Sequence, residues 1–162
     1  GLAAARASSK AGWTTTGKRR DAGWDARVMV LNGSGYARYD ESTSRMLGDT
    51  CALLIDAYKG DLRNLREEAS RDPGEERKRL KAFKGIGDVG ADLFFREVQA
   101  VWPELYPFAD KRALNAAATL GLAETAEGLA ETVNRADFPR LVTALVRVDL
   151  AKGYEKIKVA AV

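Results

Sequence analysis

Histidine is absent from this chain of 162 residues, and cysteine occurs only once, at Cys51. A single thiol excludes an intrachain disulfide, and it also excludes an iron–sulfur cluster held by four protein thiolates. The usual zinc sites and the triads that use imidazole as a general base need histidine, so they are excluded too. Any chemistry must therefore come from carboxylates, lysines, hydroxyls or the backbone.

Long apolar runs are missing as well. A helix that crosses a bilayer needs roughly 18 or more consecutive apolar residues, and no stretch of the chain approaches that length. Residues 1–6 lack the basic segment and the apolar stretch that together mark a secretory signal. We therefore expect no association with membranes and a cytoplasmic location. The first residue is Gly1 rather than methionine, which suggests a truncated or processed chain.

Proline is scarce, with four residues, while 46% of the chain is hydrophobic. This composition and length are typical of one compact helical domain, here residues 1–162. Lysine and arginine exceed the acidic residues by 26 to 23, which is a net charge of +3. Such an excess favours an anionic partner only weakly, because solvated surfaces often carry as much charge.

The spacing of apolar residues predicts an all-α fold of eight or nine helices, and no alternation of useful length predicts a strand. The clearest helix covers residues 41–58, where Leu47, Cys51 and Ile55 recur on one face. Further helices are predicted at residues 2–11, 24–31, 75–83, 111–120, 124–133 and 137–152, with short ones after residues 14–16 and after the cap Asp61. A helix after Gly87 is predicted to turn four residues inward: Leu93, Phe94, Val98 and Val101.

The most informative stretch is residues 80–94, LKAFKGIGDVGADLF. A helix ends there, Gly85 and Gly87 bracket Ile86, and a new helix begins at once. Glycine is needed where the backbone turns with positive φ or where another backbone comes close. The unpaired amides at the start of the second helix form an anion site that suits a phosphodiester, and Lys84 adds a positive charge beside them. A tight turn between helices with no ligand is the alternative.

Residues 35–91 and 102–152 resemble the endonuclease III-like, HhH-GPD superfamily of DNA glycosylases. In that family a helix-hairpin-helix, which corresponds to residues 75–101 here, precedes a loop with an aspartate at the start of a helix. The loop in this chain is residues 103–110, PELYPFAD, and Asp110 holds the position of that aspartate. The order of elements also matches, from Gly35 through the helix at 41–58 to the last helix at 137–152.

The resemblance implies a base-excision repair enzyme that hydrolyses the N-glycosidic bond of a damaged or mismatched base in double-stranded DNA. Asp110 would be the catalytic residue, since an ionised carboxylate can stabilise the charge that develops as this bond breaks. Asp110 as a plain helix cap is the alternative. The implied DNA contacts are Lys84, Gly85, Ile86, Gly87, Val89 and Lys111. The resemblance also implies a candidate site for a monovalent cation on three carbonyls, those of Lys81, Phe83 and Ile86, and no other cofactor.

Among the departures from the family, two concern activity. Glycosylases that also cut the strand carry a lysine two residues after the second hairpin glycine, and that residue here is Val89. Valine cannot form a Schiff base, so we expect a monofunctional glycosylase. The family's first helix, and the turn after it that wedges into the DNA, have no counterpart before Leu2. We therefore expect an N-terminally incomplete domain. At the other end, residues 153–162 form a tail whose packing the sequence does not decide.

Two other functions stay open. One is a non-catalytic helix-hairpin-helix module that contacts DNA phosphates without reading the sequence. The other is a helical interaction domain whose glycine turn has no ligand. For the leading hypothesis we expect a monomer that works on the nucleoid of a bacterium.

Overall fold

The structure, a computed structural model, describes residues 2–155 and residue 157. These residues form helices and connecting turns without a strand, which confirms the all-α prediction. None of the described helices combines the length and the apolar character that crossing a membrane requires. Short 3₁₀ helices cover Ala37–Tyr39 and Pro103–Leu105. The α-helices are α1 Leu2–Lys10, α2 Thr16–Asp21, α3 Gly23–Gly33, α4 Asp40–Tyr58, α5 Leu62–Glu68, α6 Pro73–Leu80, α7 Asp88–Val98, α8 Lys111–Thr119, α9 Ala126–Ala130 and α10 Phe138–Ala151.

The chain folds as two compact units, Gly1–Gly87 and Asp88–Val162. The boundary follows the second glycine of the predicted hairpin, so α6 belongs to the first unit and α7 to the second. The single domain over 1–162 and the helix-hairpin-helix at 75–101 stay predictions. Of the predicted tail, residue 156 and residues 158–162 lie outside the described residues.

Side-chain caps set the starts of several helices. The Asp61 carboxylate accepts the Arg63 N–H at 2.9 Å and begins α5, as predicted. Asp72 accepts the Glu75 N–H at 2.8 Å and begins α6, with a proline in the first turn. α6 ends at Leu80, earlier than the predicted 83, because the chain turns there toward the glycines.

A buried arginine organises the first unit. The Arg27 guanidinium, on α3, donates to the Ser44 carbonyl at 3.1 Å and to the Ser44 hydroxyl at 3.3 Å. It also donates to the carbonyls of Arg19 at 2.9 Å and Arg20 at 3.1 Å. Gly48 makes room, since a Cβ there would lie 2.7 Å from the guanidinium. Arg27 thereby links α3 to both α2 and α4.

The core of the second unit lies between α8, α9 and α10. Alanines on α8 let α10 approach closely, and the Phe138 ring meets the Tyr106 ring edge-on at 5.4 Å. The last helix, which was predicted at residues 137–152, turns Phe138, Val142 and Leu145 into this core. The buried cluster consists of Ala113, Ala116, Ala117, Leu129, Phe138, Val142, Leu145 and Val146.

The predicted inward face of α7 is wrong at two positions. Leu93 is 52% exposed and Val101, just past the helix, is 69% exposed. The buried face and its continuation carry Ala91, Phe95, Arg96 and Gln99. The two polar residues turn inward because each finds hydrogen-bond partners there, which removes the penalty for burying them.

Candidate active site

Asp110 begins α8 as its N-cap. One carboxylate oxygen, Oδ1, accepts the backbone N–H groups of Arg112 at 3.0 Å and Ala113 at 3.1 Å. These amides belong to the first turn of the helix, where the N–H groups have no partner within the helix. The carboxylate is therefore held by the backbone that follows it, at the position the sequence predicted for a cap.

The other carboxylate oxygen of Asp110 belongs to a buried ion pair. Oδ2 accepts hydrogen bonds from Nε of Arg96, at 3.1 Å, and from Nη2 of the same guanidinium. The Arg96 side chain is 9% exposed and the Asp110 side chain is 5% exposed. Two nitrogens of one guanidinium on a carboxylate form a strong, directional contact. Arg96 was not predicted as a site residue, because the apolar spacing of α7 placed other residues on its inward face.

Gln99 holds the loop that leads to Asp110. Its Nε2 donates to the carbonyls of Arg96 at 2.9 Å and Phe108 at 3.0 Å. Its Oε1 accepts the Phe108 N–H at 2.9 Å. A fully buried amide that meets three backbone groups fixes the loop against α7, and so fixes where α8 starts.

Asp110 lines a cleft of about 390 Å³ in the second unit, formed by residues of α7, α8 and α10. Val89 lines the same cleft, although it is far from Asp110 in the sequence, and it is 74% exposed. Thus one cleft contains both the predicted catalytic carboxylate and the position where the strand-cutting glycosylases that the sequence resembles carry a lysine. Its lining also includes Asp92, Leu93, Arg96, Arg112, Thr143, Val146, Arg147 and Leu150.

Two arginines at this cleft differ in whether they form an ion pair. Arg112 donates to the Asp149 carboxylate at 2.7 Å, and Asp149 also accepts from the Tyr154 hydroxyl at 2.7 Å. The hydrogen bonds from Tyr154 and then from Lys152 hold the pKa of Asp149 below its usual value. Arg147 is exposed and has no ion pair within the described part of the chain.

The two hairpin glycines differ in conformation. Gly85 has φ +88°, the left-handed region that favours glycine, and a Cβ there would lie 2.8 Å from the Met46 sulfur. The turn of residues 83–86, which contains Gly85, is closed by the Ile86 N–H, which donates to the Phe83 carbonyl at 3.0 Å. Gly87 has no positive φ, and a Cβ there would meet nothing within 4 Å. The turn therefore needs glycine at Gly85, whereas Gly87 leaves open space above the backbone.

The remaining predicted contact residues lie on the surface. Lys84 is exposed and pairs with Asp49 at 3.4 Å, an exposed contact that solvent weakens. Lys111 is exposed in the first turn of α8, directly after Asp110. Among the three carbonyls of the candidate cation site, that of Phe83 already accepts the Ile86 N–H.

In comparisons with known proteins, no family model matches the chain, and no curated protein and no solved structure is significantly similar to it. Within the described residues, no group of three or more acidic, cysteine or histidine side chains is placed to hold a metal ion.

Proposed function

We propose that this protein is a DNA glycosylase that hydrolyses the N-glycosidic bond of a damaged or mismatched base in double-stranded DNA. The observation that carries the proposal is the cleft of the second unit. Val89 and Asp110 line it together, and these are the two positions that the family resemblance assigns to the active site. The cleft volume of about 390 Å³ is within the range of ligand pockets, roughly 300–1,000 Å³.

Asp110 would act through its charge. A carboxylate oxygen pair offers about four lone-pair sites, and the amides of Arg112 and Ala113 and two nitrogens of Arg96 occupy that number. A carboxylate bound in this way has no vacant lone pair for a further hydrogen bond. It remains a fixed negative group that can stabilise an oxocarbenium-like sugar, provided that Arg96 moves away as substrate binds.

The proposed enzyme is monofunctional. Val89 has no nucleophilic atom, so the bond would be cleaved by water and no Schiff base would form at this position. A strand-cutting activity would need a lysine from elsewhere, and Lys84 and Lys111 are better suited to phosphate contact because both are exposed.

Contact with DNA phosphates would come from the backbone. The N–H groups of Val89 and Gly90 lie in the first turn of α7, where helix amides have no partner within the helix. Lys84 and Lys111 would add charge on either side in the sequence. The open space above Gly87 would let a phosphate approach the backbone. We also propose that the enzyme works as a monomer, with a monovalent cation at the hairpin carbonyls as its one candidate cofactor.

A second candidate is the non-catalytic DNA-binding module. The full set of partners around Asp110 favours it, because Arg96 neutralises the carboxylate and a capped, ion-paired aspartate needs no catalytic explanation. In this case the protein would bind duplex DNA with a strong dependence on salt and process no lesion.

Asp110→Asn in an Arg96→Gln background tests the enzymatic proposal. The substrates are fluorescent duplexes, each with one uracil, hypoxanthine, oxidised base or alkylated purine, and the readout is the formation of abasic sites. The Arg96→Gln variant keeps the Asp110 charge, and the double variant keeps a hydrogen-bonded pair without it. We expect the double variant to be slower by about a hundredfold, the typical effect of losing one electrostatic contact in a transition state.

Three results decide between the functions. Equal rates in the two variants would reduce Asp110 to a helix cap. Salt-dependent binding of duplex DNA with no activity on any lesion would favour the non-catalytic module. No binding of DNA at low salt would exclude both and leave an interaction domain.

A further inference from the structure

Arg147 lies between two neighbouring clefts of the second unit. One is the cleft that contains Asp110, and the other, about 290 Å³ in volume, is lined by Glu97, Pro139, Arg140 and Ala144. Thr143 and Arg147, both on α10, line both clefts. The two clefts are therefore adjacent along α10, and the Arg147 side chain is part of the wall that they share.

The arginines that line the Asp110 cleft, which also includes Asp92, differ in their ion pairs. Arg96 is paired with Asp110. Arg112 is paired with Asp149 at 2.7 Å. Arg147, by contrast, has no carboxylate partner among the described residues, and it is exposed. A guanidinium without a partner at the mouth of a cleft attracts an anion.

Apolar side chains lie in the same cleft. Val89, Leu93 and Leu150 line it and are all exposed. Exposed apolar groups beside an unpaired arginine suit a ligand with an apolar face and an anionic group, as in a nucleotide with its phosphate. The second cleft continues along α10 past Arg147, and its lining has two arginines, Arg140 and Arg147, and one acidic residue, Glu97.

We propose that Arg147 binds the phosphodiester next to the nucleotide that enters the Asp110 cleft. This inference rests on the proposed function and adds a positioning residue to it. The planar guanidinium can donate two hydrogen bonds to one phosphate, which lysine cannot match, and the Thr143 hydroxyl is a second donor in the shared wall. Holding this phosphate would place the sugar and base over Val89 and Asp110.

Binding of two duplexes tests the assignment, one with a tetrahydrofuran abasic-site analogue and one undamaged. Fluorescence anisotropy is measured over a range of salt concentrations. For Arg147→Gln we expect several-fold to tenfold weaker binding of the abasic-site duplex and a salt dependence shallower by about one counterion. We expect a smaller loss on the undamaged duplex, because the proposed contact forms at the flipped nucleotide. Arg147→Lys should restore the salt dependence and only part of the affinity.

Arg140→Gln is the matched control. It removes the same charge from the same helix. Arg140, however, pairs with Asp137 at 3.3 Å, and it lines only the second cleft and not the cleft of Asp110. Weaker binding of the abasic-site duplex by Arg147→Gln than by Arg140→Gln supports the inference. Equal effects of the two variants overturn it and leave the proposed function intact. A wild-type protein that binds neither duplex in a salt-dependent way overturns the proposed function and the inference with it.

Discussion

Two buried arginines organise the molecule at the scale of single residues, and they do so with different partners. Arg27 donates to a hydroxyl and to backbone carbonyls, so its charge is solvated by neutral dipoles. Arg96 donates to a carboxylate and forms a buried ion pair. Taking a buried ion pair out of water is expensive, and removal of one partner leaves an uncompensated charge. The Arg96–Asp110 pair is therefore the more sensitive of the two sites to substitution.

A double-mutant cycle on Arg96 and Asp110 measures this sensitivity. We expect Asp110→Asn and Arg96→Gln each to lower the free energy of unfolding by about 3–5 kcal/mol, because each leaves a buried charge without its partner. The asparagine still caps α8, so loss of the cap does not contribute. The double variant should lose clearly less than the sum of the two. Urea denaturation followed by circular dichroism gives all four values, and additive losses would contradict a direct pair.

At the scale of elements, the turn at residues 81–87 joins α6 to α7, and its two glycines have different surroundings. Gly85 has φ +88°, and a Cβ there would lie 2.8 Å from the Met46 sulfur. Gly87 has neither restriction. Gly85 is therefore needed for the backbone conformation of the turn, whereas Gly87 can serve to leave space for a ligand.

Alanine at each glycine tests this separation. We expect Gly85→Ala to lower the free energy of unfolding by about 1–2 kcal/mol, the cost of a side chain in the left-handed region. Gly87→Ala should change it by less than about 0.5 kcal/mol. If phosphate approaches the backbone at Gly87, the added methyl group should weaken duplex binding severalfold. Thermal melting and anisotropy give the two quantities, and normal DNA binding by folded Gly87→Ala protein would remove Gly87 from the interface.

At the scale of the whole molecule, each of the two compact units has its own set of buried side chains. The cluster around Phe138 draws all its members from the second unit. The stacked rings of Tyr58 and Phe83, with centroids 6.2 Å apart, belong to the first. A unit whose apolar contacts are internal can fold when separated from the rest of the chain.

Separate expression of residues 88–162 tests whether the second unit is autonomous. We expect the fragment to be helical and to melt in one cooperative transition, because the buried cluster is complete within it. Phe138→Ala in the fragment should lower the free energy of unfolding by about 3–5 kcal/mol or prevent folding, the usual effect of truncating a buried ring. A fragment that is unfolded without the substitution would show that the first unit is required.

The sequence by itself determined the elements that depend on neighbouring residues. The all-α class, the cap at Asp61, the helix start after Asp110 and the need for glycine at Gly85 all follow from local hydrogen bonds and backbone sterics. Those features were predictable because every group involved lies within a few positions in the chain. The choice of Asp110 as the candidate catalytic residue came from the family resemblance, and its catalytic role stays a prediction.

Tertiary structure decided which face of α7 is buried and what surrounds Asp110. Apolar spacing placed Leu93 and Val101 inside, but the helix turns Arg96 and Gln99 inward instead. Their partners, Asp110 and the backbone around Phe108, come from the loop beyond the helix. A buried polar side chain is stable only where such distant partners meet it, and helix periodicity carries no information about them. For the same physical reason, only the folded unit brings Val89, Asp110 and Arg147 to one cleft.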